Sequence, residues 1–180
     1  MWVGLDQWRV DFQRSRLALF LICAFIGHYA CCNGDTWASE LGVLSKNDPI
    51  LITTFKRVPK GTNGGISAWG TFASIAAGFL IGVVYYLGSL PFAIGTNAPS
   101  QWPIILLATF AGTVGSIIDS LMGATLQYSS VDPKTGLVVS HPVKGDKHIT
   151  GIHFLNNHVV NYLSSVGTAL ICGALGTFIF

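Results

Sequence analysis

From Ile66 to Leu90 the chain reads ISAWGTFASIAAGFLIGVVYYLGSL, with no charged residue anywhere in it. About 20 helical residues cross the hydrocarbon core of a bilayer, and a backbone in lipid must satisfy its polar groups internally, which a helix does. This stretch is therefore read as a membrane-spanning helix. Gly70, Ser74, Gly78 and Gly82 recur every four residues and stack on one face. Small residues on such a face let another helix backbone come close.

Three further stretches fit the same description. One covers about 17–37 and is interrupted by His28 and Asn33; one covers about 102–127 and is broken only by Asp119; the last covers about 159–180. The expected fold is all-α, a polytopic membrane bundle of about four transmembrane helices. It forms one membrane domain over 1–180, with long loops at about 38–65 and 128–158. Arg14 and Arg16 before the first stretch also suit a signal peptide. No clean small-x-small cleavage site follows, so a span is the better reading. Leu137, Val138 and Val139 follow the turn signals Asp132-Pro133 and Lys134-Thr135-Gly136 and suggest a short hairpin strand.

Composition agrees. Hydrophobic residues make up 51% of the chain and charged ones 10%, against about 25% charged in soluble domains. Lipid must be part of the solvent. The net charge of +2 is small and scattered, which argues against nucleic acid as a partner. Cys23, Cys31, Cys32 and Cys172 lie in apolar stretches and read as buried thiols. Lys46, Lys56, Arg57, Lys60, Lys134, Lys144 and Lys147 fall in the two long loops, against Arg9, Arg14 and Arg16 on the other side. The excess places the long loops in the cytoplasm.

The polar residues converge on that same surface. Asp119 is the sharpest, because an acid in a spanning helix is costly without a cation, a metal or a watery cavity. Asp35-Thr36 and Asp119-Ser120 each set a hydroxyl after an acid at the cytoplasmic end of a span. Two carboxylates and two hydroxyls suit a hard cation such as Mg²⁺, which keeps waters and phosphate oxygens in its shell. Lys60-Gly61-Thr62-Asn63-Gly64-Gly65 precedes the second helix. Its glycines and the first amides of that helix favour an anion. It is not a Walker loop, since the lysine precedes the glycines. Asn157 and Asn161 are one turn apart and face one way. His141, His148, His153 and His158 read as solvated loop residues, and His28 as a packed one.

Several blocks, taken together, resemble the transmembrane protein 19 family. They are Gly34-Asp35-Thr36-Trp37-Ala38-Ser39-Glu40-Leu41-Gly42, Gly61-Thr62-Asn63-Gly64-Gly65-Ile66-Ser67 and Gly115-Ser116-Ile117-Ile118-Asp119-Ser120-Leu121-Met122-Gly123-Ala124. Gln101-Trp102-Pro103-Ile104-Ile105 and Asn156-Asn157-His158-Val159-Val160-Asn161 fit as well. The family has plant and bacterial members similar to phytyl-phosphate kinase. The Gly34 to Ala38 pattern also resembles that of phytol and dolichol kinases. Family members carry further spanning helices upstream of the Gly-Asp-Thr block, so this chain is expected to lack them.

The resemblance implies a kinase that moves a phosphoryl group from a nucleoside triphosphate, with CTP the leading candidate, to a membrane isoprenoid (polyprenyl) phosphate. Asp35 and Asp119 would hold Mg²⁺ with Glu40 as helper. Lys60, Thr62, Asn63, Gly64 and Gly65 would cradle phosphates, and Asn157 and Asn161 would orient donor or acceptor. The isoprenoid tail would lie between the second and third helices. The endoplasmic reticulum or another endomembrane is the expected location. A transporter or channel is the competing reading, because intramembrane acids and glycine-interrupted helices also mark substrate paths. A non-catalytic scaffold is the third.

Overall fold

A computed structural model describes residues 15–93 and 100–180. The connector expected at Gly95 to Pro99 lies outside them, as do Arg9 and Arg14. Helices α1 (Arg16–Gly42), α2 (Ala68–Ser89), α3 (Pro103–Leu126) and α4 (Asn157–Ile179) run up and down, and each is long and apolar enough to cross a membrane. The loop between α1 and α2 carries the antiparallel pair β1 (Ile50–Leu51) and β2 (Gly65–Ile66). The loop between α3 and α4 carries β3 (Ser129–Val131), β4 (Val138–Val139) and β5 (Lys147–Thr150), in sheet order β4-β3-β5. Both sheets lie at one end of the bundle, the loop end.

The strand expected after Gly136 is β4. Its turn is held by Asp132, whose carboxylate accepts from the Lys134 amide (2.9 Å) and the Thr135 hydroxyl (3.0 Å). Gly136 takes φ +71° there, a left-handed conformation natural to glycine.

Three helix boundaries differ from expectation, each for a local reason. α1 does not stop near Trp37 but continues to Gly42. The polar residues that interrupt its sequence are satisfied within the helix: Asn33 Nδ2 donates to the Tyr29 carbonyl (2.9 Å), and His28 Nε2 lies 3.8 Å from Cys32 Sγ. At 27 residues the helix is about 40 Å long against a hydrocarbon core of about 30 Å, so one end stands in the interface. α2 begins at Ala68 rather than Ile66, because Gly65 and Ile66 pair with β1. α4 begins two residues early, since Asn156 caps it by accepting from the Val159 amide (3.0 Å).

The bundle is small inside and large outside. Phe25, Phe72, Phe79, Leu106, Leu170 and Phe178 all point outward, as lipid permits. The helix contacts are made by Gly, Ala, Ser and Cys. A Cβ on Gly78 would come within 2.5 Å of the Ala108 carbonyl oxygen, and one on Gly82 within 2.6 Å of Ile105 Cα. The stripe read from the sequence thus fastens α2 to α3. At Gly112 three helices meet: α2 presses on it through the Ser74 carbonyl and Gly78, and α1 through Gly34. Towards the far end the interior is apolar, built from Leu19, Cys23, Ile26, Ala30, Leu107 and Ala111 among others. Towards the loop end it turns polar.

Close contact of α2 with α3 limits one expectation. An isoprenoid tail cannot pass between these helices at the depth of Gly78 and Gly82, where backbone touches backbone.

Candidate functional site

Above Gly112 the helices diverge and enclose a cleft of about 660 Å³. α1 contributes Asp35, Ser39 and Glu40; α2, Thr71 and Ser74; α3, Thr113, Ser116 and Asp119; α4, Asn157 and Asn161. The β1–β2 hairpin roofs it with residues 60–66. The structure brings together all ten residues singled out from the sequence: Asp35, Glu40, Lys60, Thr62, Asn63, Gly64, Gly65, Asp119, Asn157 and Asn161 border this one cleft.

The two acids meet through α3. Ser116 Oγ donates to Asp35 Oδ1 across the α1–α3 contact (3.3 Å). Ser116 and Asp119 are three residues apart on one helix, so their Cβ atoms are about 5–6 Å apart on the same face. Asp35 thus reaches the face of α3 that carries Asp119. Asp119 Oδ2 accepts from Ser164 Oγ of α4 (3.0 Å). Both neighbours of the Asn161 amide are acceptors, so its nitrogen faces them, donating to Asp119 Oδ2 (3.1 Å) and the Asn157 carbonyl (2.9 Å). The Asn157 side-chain oxygen accepts from Gln127 Nε2 (3.4 Å). A carboxylate can only accept. Among the described residues the remaining oxygens, Asp35 Oδ2 and Asp119 Oδ1, receive no hydrogen bond. Two half-buried acids from separate helices thus line one cleft with acceptor capacity to spare for a cation.

Several sequence expectations need correction. The hydroxyls on the acids are not those of Thr36 and Ser120 but Ser116 and Ser164, brought from other helices. Adjacent residues on a helix point about 100° apart, so Thr36 and Ser120 border the cleft without bonding the acids beside them. Glu40 does not complete a three-carboxylate site. It follows Asp35 by five residues, a turn of about 140° and a rise of about 7.5 Å along α1. Among the described residues no three His, Cys, Asp or Glu side chains gather closely enough to hold a metal ion. A cation here would rest on Asp35 and Asp119 alone. The donors available are all oxygens, which fits Mg²⁺ completed by waters and phosphate.

The glycine-rich loop is a clasp, and most of its polar groups already have internal partners. Lys60 Nζ donates to the carbonyls of Val43 (3.1 Å) and Ser45 (2.5 Å), tying down the chain that leaves α1. Thr62 Oγ1 donates to the Pro59 carbonyl (2.7 Å), and the Gly65 amide to the Thr62 carbonyl (3.0 Å). Gly64 takes φ +76° and is pressed on α3 at Ser120 and Ala124, where any Cβ would collide. In the first turn of α2, Ser67 Oγ accepts from the Gly70 amide (3.0 Å), and the Ser67 carbonyl from the Thr71 amide (2.9 Å). Of the amides expected to face an anion, those of Gly65 and Gly70 are therefore engaged within the chain.

Asn63 fastens the clasp to the second loop. Its Nδ2 donates to the Tyr128 carbonyl (3.1 Å) and to the buried Ser129 Oγ (3.0 Å). Asn63→Ala removes both bonds at a cost of about 1–3 kcal/mol. Faster proteolytic cleavage within residues 43–67 in the membrane-embedded protein is expected, and an unchanged cleavage rate would contradict the clasp.

The sequence reading missed Ser116 and Ser164 as partners of the acids. The signal was present: Ser116 lies three residues before Asp119, and Ser164 three after Asn161, each on the face already singled out.

Comparison with known proteins follows the same outline. The family model described as integral membrane protein DUF92 matches residues 3–169. Protein PGR of Arabidopsis thaliana is 43% identical over 173 residues, which cover 95% of this chain and 60% of that protein. An uncharacterized membrane protein of Methanocaldococcus jannaschii is 38% identical over 112 residues, 61% of this chain and 42% of that one. The chloroplastic protein VTE6 of Arabidopsis thaliana is 30% identical over 140 residues, 78% of this chain and 33% of that one. The chain thus spans 60% or less of the length of these relatives. No solved structure matches it.

Proposed function

Since the chain belongs to the DUF92 family of integral membrane proteins, we propose that its cleft is the phosphoryl-transfer site of a nucleotide-dependent kinase acting on a membrane isoprenoid phosphate. The observation that carries this reading is that Asp35 and Asp119, from separate helices, line one cleft at the loop end. Likeness of the sequence blocks to the transmembrane protein 19 family, with its members similar to phytyl-phosphate kinase, supports the same chemistry. The basic loops favour a cytoplasmic opening, where nucleoside triphosphates are at hand.

In the proposed reaction a terminal oxygen of the lipid monophosphate forms a bond to the γ-phosphorus of the nucleotide. The bond from that phosphorus to the β–γ bridging oxygen breaks, and the electron pair leaves with the nucleoside diphosphate. The lipid diphosphate is the other product. The acceptor is already anionic, so no strong base is needed, and the barrier is mainly charge repulsion and alignment. Mg²⁺ held by Asp35 and Asp119 would neutralise phosphate charge. Ser116, Ser164 and Asn161 fix the rotamers of the two carboxylates. Tight packing at Gly34, Gly112 and Ser74 closes the floor and sets the acids at a constant depth.

A channel would need the polar path to continue through the bundle. Below Gly112 the described interior is largely apolar and close-packed, and the buried Thr168 hydroxyl is spent on the Ser164 carbonyl, which favours a one-ended cleft.

The test is nucleotide turnover by purified protein in vesicles with Mg²⁺, offering CTP, ATP and GTP in turn with a polyprenyl monophosphate. Lipid diphosphate formed with at least one of them is expected; none formed with any would overturn the reading. Ser116→Ala and Ser164→Ala should each lower kcat by roughly ten- to a hundredfold, the worth of one hydrogen bond to a charged group of about 1.5–3 kcal/mol. KM for the nucleotide should stay nearly constant. An unaltered kcat would remove the serines from positioning.

A further inference from the structure

The helices that wall the cleft do not close it all the way round. α2 changes partners along its length. At its far half it lies on α3, through Gly78 on Ala108 and Gly82 on Ile105. At its first turn it leans on α1 instead, where a Cβ on Gly70 would come within 2.9 Å of the Ala38 carbonyl oxygen. A helix that crosses from one neighbour to another leaves a gap beside the neighbour it abandons. Continued antiparallel pairing would set Thr71 and Ser67 against Ser116 and Ser120; in the structure all four border the cleft.

The gap has definite edges. Its sill is the contact of Ser74 with Gly112, and its lintel is Gly64 pressed on Ser120 and Ala124. From Gly112 to Ser120 along α3 is about 12 Å, a little over two turns. Its jambs are Thr71 of α2 and Ile117 of α3, both exposed and both lining the cleft. Ile117 stands between two stripes of α3: Phe110 and Leu121, which face outward, and Thr113, Ser116 and Ser120, which face the cleft. The sill belongs to the membrane-spanning part of both helices, so the opening faces lipid sideways rather than water from above.

Resting on the kinase reading for the identity of the ligand, we infer that this opening is the lateral entrance for an isoprenoid monophosphate. The phosphate passes between Thr71 and Ile117 to reach the hydroxyl-lined wall and the acids behind it. The tail stays outside, because the sill excludes it from the bundle at greater depth. Only the first isoprene unit touches protein, at Ile117. The site therefore selects for the phosphate and its nearest branch and tolerates tails of any length.

The test uses binding, so it does not depend on turnover. A photoreactive side chain is placed in turn at positions 71, 117, 79 and 170 of the full chain in vesicles, and a labelled polyprenyl monophosphate is added without nucleotide. Strong labelling at 71 and 117 with little at 79 and 170 is expected, since Phe79 and Leu170 are exposed but do not line the cleft. Unlabelled monophosphates with few or many isoprene units should compete with midpoints closer than the roughly tenfold that one methylene can bring in an enclosed pocket. The parent alcohols should not compete. Labelling that is even across the four positions, concentrated at 170, or absent overturns the entrance. A steep dependence on tail length overturns the outside tail. If the entrance labels as expected while no nucleotide supports transfer, the kinase reading fails and the lipid-phosphate entrance stands.

Discussion

Asp119→Asn is expected to abolish transfer, with kcat falling by about a thousandfold or more, while the protein remains folded. Asparagine matches aspartate in shape and keeps an oxygen for the Ser164 hydroxyl. What it removes is the charge. Loss of a single preorganised electrostatic group in an active site costs about 10²–10³ in rate, and loss of a cation's anchor adds to that. Asp35→Asn should act in the same direction. The pair should be far from additive, because neither carboxylate holds a cation well without the other. The check is kcat for each single and the double variant, together with thermal unfolding in detergent and the Mg²⁺ concentration needed for half-maximal rate. A near-wild-type rate for Asp119→Asn would remove that residue from the chemistry. A variant that unfolds is distinguished by its melting curve.

Much of this arrangement could be read from the sequence, because lipid simplifies the code. A charge-free run such as Ile66 to Leu90 has few structural options in a bilayer, so the number of helices and the face bearing Gly70, Ser74, Gly78 and Gly82 follow from length and period. The polar residues at one surface were visible for the same reason, since Asp35 and Asp119 stand out against an apolar ground. The partners of those acids were not visible. Ser116 and Ser164 look like ordinary small packing residues until α1 and α4 are set against α3. Glu40 borders the same cleft as Asp35, yet helical pitch sets it about 7.5 Å further along α1 and about 140° round from it. In the glycine-rich loop, composition suggested anion binding, whereas Lys60 and the Gly65 amide are engaged by carbonyls of the chain itself. Glycine content alone cannot separate a loop that approaches a ligand from one that approaches a helix. Gly64, lying against Ala124, is the second kind.

Gly112→Leu should prevent formation of the bundle, and Gly112→Ala should weaken it by about 1–3 kcal/mol, the usual cost of overpacking. A Cβ at this position would sit 2.8 Å from the Ser74 carbonyl oxygen, 2.9 Å from Gly78 Cα and 3.0 Å from the Gly78 nitrogen. These are backbone atoms of a packed helix, which cannot swing aside as a flexible side chain could. The strain must move α2 as a whole, and α1 with it, since Gly34 presses on the same residue from the other side. Gly167 of α4 is the contrasting case, with nothing within 4 Å of its added Cβ. Gly167→Ala should be neutral or stabilising by about 0.5–1 kcal/mol, from backbone entropy alone. Melting temperatures in detergent compare the three variants. Gly112→Ala carries a second consequence, because Gly112 is both a point where three helices touch and the floor of the cleft. Forcing α2 outward there lowers the sill between α2 and α3, so binding of a lipid monophosphate should weaken in step with stability. Destabilisation without loss of lipid binding would mean that the floor of the cleft is set by contacts other than this crossing.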